Sequence, residues 1–103
     1  MNVIILPEAV AEAEHARLWY AERDLDLGDA FVAELRHAIQ AITAQPDSQG
    51  RLESYAGRRN IRCRMIRRFP YHIVFELRET DIVIVAVAHD RQEPSYWASR
   101  RRR

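Results

Sequence analysis

The run Ile82–Ala88, IVIVAVA, is apolar at every position. A strand with one face in water would alternate, so this run reads as a central strand covered on both sides, or nearly so. The chain has little material with which to supply that cover. Its 103 residues, 48% of them hydrophobic, suffice for one domain with a single core.

The remaining segments fall into place around that strand. Val3–Leu6 is a short β-rich run ended by Pro7, a residue suited to the first turn of a helix. From Pro7 to about Arg23, Ala9, Ala13, Ala16 and Tyr20 recur at helical spacing, with Val10 and Trp19 beside them and Glu8 favoured by the dipole of the first turn. Leu25–Gly28 reads as a break, with Gly28 and Asp29 opening a second helix. Phe31, Leu35, Ala38, Ile39 and Ile42 form its apolar stripe, and it must stop before Pro46. The small residues of the first helix predict a closely packed helical hairpin.

Gln45–Arg59, rich in turn residues, reads as a loop. Strands are expected at Ile61–Ile66, Tyr71–Arg78 and Ile82–His89, the last two joined tightly through Glu79–Asp81. The order is β-α-α-β-β-β, an α+β fold with the helical hairpin on one face of a mainly antiparallel sheet. Residues 1–99 form the single domain, and Arg100–Arg103 is expected to be a disordered basic tail that adds non-specific attraction to polyanions.

Strand parity then assigns faces. Ile61, Cys63 and Met65 are expected to face the helices together with Tyr71, Ile73, Phe75 and Leu77. Arg62 and Arg64 would stand on the opposite, open face, beside the outward half of Ile82–Ala88. A basic, partly apolar surface without cover of its own is a natural docking site for another chain.

Several function classes are disfavoured. One cysteine permits no internal disulfide, no Cys/His spacing suggests a metal site, and nothing calls for a cofactor or a small-molecule substrate. MNVIILPEAV does not have the form of a signal peptide, and no segment approaches the length of a membrane span, so a cytoplasmic protein without membrane contact is expected. Charge is divided: residues 1–53 hold ten carboxylates against four arginines, whereas residues 54–103 hold twelve arginines against five carboxylates. The sheet half is therefore suited to an anionic partner, or simply well solvated. All sixteen cationic side chains are arginine. Arginine holds a phosphate but does not act as a general base near neutral pH.

In combination, several pieces resemble the RelE/ParE toxin family of bacterial type II toxin–antitoxin systems, nearer its ParE branch of plasmid stabilisation proteins. These are the Pro7-Glu8-Ala9 helix start, Trp19-Tyr20, Ala30-Phe31, Pro46, Phe69-Pro70-Tyr71 with Ile73 and Phe75, and the ending IVIVAVAHDRQEPSYWASR. The resemblance implies a cognate antitoxin whose C-terminal segment wraps around the helices and sheet. It leaves the target open, since ParE members inhibit DNA gyrase by binding and RelE members cut messenger RNA on the ribosome.

RNA cleavage would need a base for the 2′-hydroxyl, an acid for the leaving oxygen and cations for the phosphate. A lysine-based site has no counterpart here. The nearest set is Arg62 and Arg64 as clamps, His89 as base or acid and Tyr96 in support. Glu76 and Glu93 are the nearby carboxylates, and neither matches a motif. His89 is equally placed to cap its strand, and Asp90 to pair locally with Arg91; His15 and His72 read as solvated positions. A binding protein would instead use Arg62, Arg64, Arg91, Tyr96 and Trp97, the two aromatics serving as anchors for a partner or packing the C-terminus onto the first helix. Alanine at both Arg62 and Arg64 is then expected to weaken antitoxin binding more than folding. Three readings follow: a gyrase-binding toxin, a ribosome-dependent mRNA endonuclease, and a non-toxic basic interaction module of the same fold.

Overall fold

The computed structural model describes residues 1–52 and 59–101. Part of the expected loop (53–58) and two residues of the expected tail, Arg102 and Arg103, lie outside them. The chain runs β1 (Asn2–Ile5), α1 (Pro7–Arg23), α2 (Leu25–Ala44), a single 3-10 turn (Pro46–Ser48), β2 (Gly50–Arg51), β3 (Ile61–Met65), β4 (Tyr71–Leu77) and β5 (Asp81–His89). The strands form one sheet in the order β1-β5-β4-β3-β2, with β1 parallel to β5 and the other pairs antiparallel. The α+β order is the expected one, with the two-residue β2 added inside the stretch read as loop.

The break between the helices is Asp24 alone, not Leu25–Gly28. Asp24 is extended (φ −162°, ψ 121°); its amide donates to Tyr20 O, closing α1, and its carboxylate accepts the Asp26 amide at 2.9 Å, capping α2. Gly28 lies inside α2 for a packing reason. A β-carbon there would come within 2.8 Å of Ala21 Cβ and 3.2 Å of the Arg17 carbonyl, so glycine is what allows the helices to approach this closely. The expected small-residue hairpin is thus what forms.

β5 is buried on both faces. Ile82, Ile84 and Val87 face the helices, where they pack with Phe31, Ile42, Ile73 and Phe75. Val83, Val85 and Ala86 face the other way. The switch in phase is a β-bulge: Val74 pairs with Ala86 and Phe75 with Ile84, leaving Val85 as the extra residue.

The second face is not open. The segment after β5 folds back over it and inserts Trp97, 1% exposed, among Ile61, Val74, Val83 and Val85. Trp97 therefore packs on the sheet's outer face, neither on α1 nor in solvent.

The parity assigned to β3 is also reversed. Arg62 pairs with Phe75 and Arg64 with Ile73, so both arginines lie on the helix side, whereas Ile61 joins Trp97 in the outer core. Cys63 and Met65 follow Ile61 outward, into a depression with Leu52, His72 and Pro94. A shift of one residue in register exchanges the two faces of a strand, and alternation within the strand carries no trace of it. The register is set by the β3–β4 connection, which buries Ile66 and Phe69 in the helix-side core and turns at Arg68 with φ 75°. The faces of Tyr71, Ile73, Phe75 and Leu77 are as expected.

Candidate functional site

Two features on the helix side remain available to a partner. One is an apolar groove of about 360 Å³ between the helices and the β1 side of the sheet, with Ala9, Val10 and Ala13 from α1, Val32, Leu35 and Ile39 from α2 and Ile5 from β1. Val10 is 53% exposed and Ile5 41% exposed, high values for residues lining a core-like surface. Arg17 and Glu14 form an exposed ion pair at the rim (2.5 Å), and the hydrogen bond from Arg17 holds the Glu14 carboxyl below its ordinary range. The other feature is β1 itself, an edge strand paired only with β5 and exposed along most of its length.

The residues singled out from the sequence do not gather at one place. Arg62 lies at the sheet margin, where Nη1 donates to the carbonyls of Asp47 (2.9 Å) and Gln49 (2.7 Å) and Nε to Asn60 Oδ1 (3.1 Å). It fastens the turn after α2 to β3. Arg64 donates to Gln49 Oε1 at 3.1 Å, and its buried Nε has no partner among the described residues. Neither arginine is displayed on an open face. Arg62→Ala strands two carbonyls and one side-chain acceptor, so a loss of about 1–2 kcal/mol is expected in urea unfolding. An unchanged midpoint would return Arg62 to the role of a solvated side chain.

His89 caps its strand: its Nδ1 accepts the Arg91 amide at 3.1 Å. Arg91 extends exposed from the turn. Asp90 does not pair with it; its Oδ1 meets His72 Nδ1 at 2.8 Å, so His72 is engaged rather than freely solvated. The thiol of Cys63 is pushed up to about 11 by burial, with Asp90 adding to the effect, which leaves it inert near neutral pH. Tyr96 turns inward to α1 and donates its hydroxyl to Glu12 Oε2 at 2.6 Å.

Glu12 is the residue the sequence reading passed over. Its carboxylate accepts the Tyr96 hydroxyl, a bidentate bond from Arg100 (2.7 and 3.2 Å) and the Val87 amide (3.1 Å). Arg100 also donates to the carbonyl of the bulged Val85 at 3.1 Å. Beyond Ile84 the β1 edge of β5 has lost its partner strand, and this pair takes over part of the missing ladder. Burial and Glu12 together raise the Tyr96 phenol well above its ordinary range. Arg59 does similar service nearby, donating to the carbonyls of Ala98 (3.0 Å) and Arg100 (3.1 Å) while pairing with Glu76 (3.3 Å). Arg100 thus belongs to the folded structure and not to a frayed tail. A signal for Glu12 existed: it lies three residues after Ala9 and four before Ala16, on the buried stripe of α1.

The family described as the ParE toxin of type II toxin–antitoxin system, parDE, matches residues 3–94. The chain belongs to that family. Among solved structures it is similar to a chain of the chromosomal ParDE system from P. aeruginosa, with a TM-score of 0.73 and 13% identity over 86% of this chain and 95% of that one. At that identity the likeness is one of fold. No curated protein matches. Membership of the ParE family makes the chain the toxin of a toxin–antitoxin pair and implies an antitoxin as partner. The strap that carries Tyr96, Trp97 and Arg100 lies just past the matched segment. Among the described residues, no helix of this ParE-family chain is long and apolar enough to cross a membrane.

Proposed function

We propose that the chain acts by binding and not by cutting RNA, that its target is DNA gyrase, and that its antitoxin silences it by lying along the α1–α2 groove and the free edge of β1. One observation carries the choice between binding and cleavage. The groups an RNA-cleaving site would need are committed elsewhere: Arg62 to backbone carbonyls, His89 Nδ1 to the Arg91 amide and Tyr96 to Glu12. No hydrogen bond or ion pair joins any two of Arg62, Arg64, His89 and Tyr96 among the described residues. The chain also lacks lysine. Supercoiling by purified gyrase should therefore fall as the toxin is added. Undiminished supercoiling, with ribosome-bound transcripts cut instead, would replace this reading with the endonuclease one; expression that slows no growth would favour the non-toxic module.

The groove supports the antitoxin half of the proposal. It is apolar and lies beside an edge strand, a combination suited to an extended segment followed by an amphipathic helix. Val10→Asp puts a charge at an exposed point of this surface, where it costs the fold little. Antitoxin affinity should drop by about tenfold or more with the melting temperature unchanged. Wild-type affinity in a titration would place the antitoxin elsewhere.

A further inference from the structure

A second cleft lies between the C-terminal half of α1 and the start of β4. It encloses about 300 Å³ and is lined by His15, Trp19 and Tyr20 from α1, Pro70 and Tyr71 at the start of β4, and His89 at the end of β5. It shares no residue with the groove assigned to the antitoxin.

Its walls are aromatic, and apart from His89 Nδ1 its side-chain polar groups are uncommitted. Among the described residues, the hydroxyls of Tyr20 and Tyr71 and the imidazole of His15 have no hydrogen-bond partner. Because His89 Nδ1 accepts the Arg91 amide, the proton of its neutral ring sits on Nε2, which adds a donor. Burial raises the pKa of both phenols, so both remain protonated near neutral pH. Trp19 is 46% exposed and is steadied by Arg23, whose guanidinium carbon lies 3.3 Å from the ring centroid. Cations adjoin the cleft along the chain: Arg68, whose guanidinium carbon lies 5.6 Å from the Phe69 ring centroid, comes two residues before Pro70, and Arg91 follows His89 by two residues, both exposed.

Each feature excludes a class of occupant. An aliphatic side chain would bury hydroxyl and imidazole groups without partners, which is costly. A bare anion would leave the aromatic walls unused. A planar heterocycle linked to phosphate uses both the rings and the arginines. We propose that this cleft holds one unpaired base of a single-stranded nucleic acid, with the adjoining phosphates on Arg68 and Arg91. The site binds and has no assigned chemistry, so it stands independently of the gyrase proposal.

The test uses the full chain and a short fluorescein-labelled single strand of mixed sequence, as RNA and as DNA, followed by anisotropy at physiological salt. Binding to the single strand is expected, and it should exceed binding to a duplex of the same sequence. Trp19→Ala should weaken it about tenfold, since an exposed ring is removed on which a base stacks. Arg91→Ala should reduce the salt slope by about 0.7. Arg91→Ala should melt like the wild type, while Trp19→Ala loses only an edge contact with Tyr20 and should stay folded at assay temperature. Displacement of the strand by AMP or UMP alone would assign the same chemistry to a free nucleotide. The proposal is overturned if no single strand binds, if the duplex binds equally well, or if Trp19→Ala binds like the wild type.

Discussion

Trp97→Ala should cost about 3–5 kcal/mol of stability, read as a lowered urea midpoint. Trp97 is among the largest fully buried side chains and the centre of the outer core, packed against Ile61, Val74, Val83 and Val85. Removing the indole leaves a cavity over the middle of β5, where a rigid sheet on one side limits collapse. For a domain whose total stability is about 5–15 kcal/mol, the loss is about a fifth of the total or more. The strap is otherwise held by partly buried Tyr96 and Ala98, by polar bonds from Arg59 and Arg100 to carbonyls and by the Tyr96–Glu12 bond, none of which fills the volume of the indole. Aggregation through the uncovered face should accompany the loss. A cost below 1 kcal/mol would mean that the strap contributes little and that the outer face tolerates water.

Glu12→Ala is expected to cost about 2–3 kcal/mol, at or just below the range for breaking a fully buried ion pair because both side chains keep some exposure. The change strands the Arg100 guanidinium, the Tyr96 hydroxyl and the Val87 amide together. Glu12→Gln is the informative companion. An amide can still accept from Val87 or Tyr96 but loses the charge that pairs with Arg100, so it should recover about half of the loss. The double-mutant cycle of Glu12→Gln with Arg100→Gln should show a coupling of about 1 kcal/mol or more. Additive losses would mean that Arg100 is held by the Val85 carbonyl and not by Glu12.

Much of the fold was legible because it rests on periodicity and on chain-breaking residues. The stripe from Phe31 to Ile42, the stop at Pro46 and the uninterrupted Ile82–Ala88 run each have one structural solution in a chain this short. The start of α2 was misplaced because Gly28 carries two meanings. It is a helix breaker by propensity, yet here its missing side chain serves a helix contact, and Asp24 does the capping. The groove between the helices was not legible as a site, because Ala9, Val10, Leu35 and Ile39 read from the sequence only as core-facing helix positions. Arg62 and Arg64 were read as display residues because alternation looks the same whichever face is outward.

What the sequence determined by itself is the order of elements, the closeness of the helical hairpin and the need for β5 to be covered twice, since helix and strand periods and small-residue spacing are local properties. Tertiary structure alone decided which face each side chain of β3 takes, because register depends on how Ile66 and Phe69 bury in the connection. It also decided what covers the second face. Trp97 sits in a segment without regular secondary structure and therefore without a period, and Glu12 meets Tyr96 and Arg100, 84 and 88 residues further on, only when the chain folds. The same register that turns Arg62 and Arg64 inward gives them the carbonyls of Asp47 and Gln49 and the Gln49 side chain as partners, so they fasten the turn after α2 to β3.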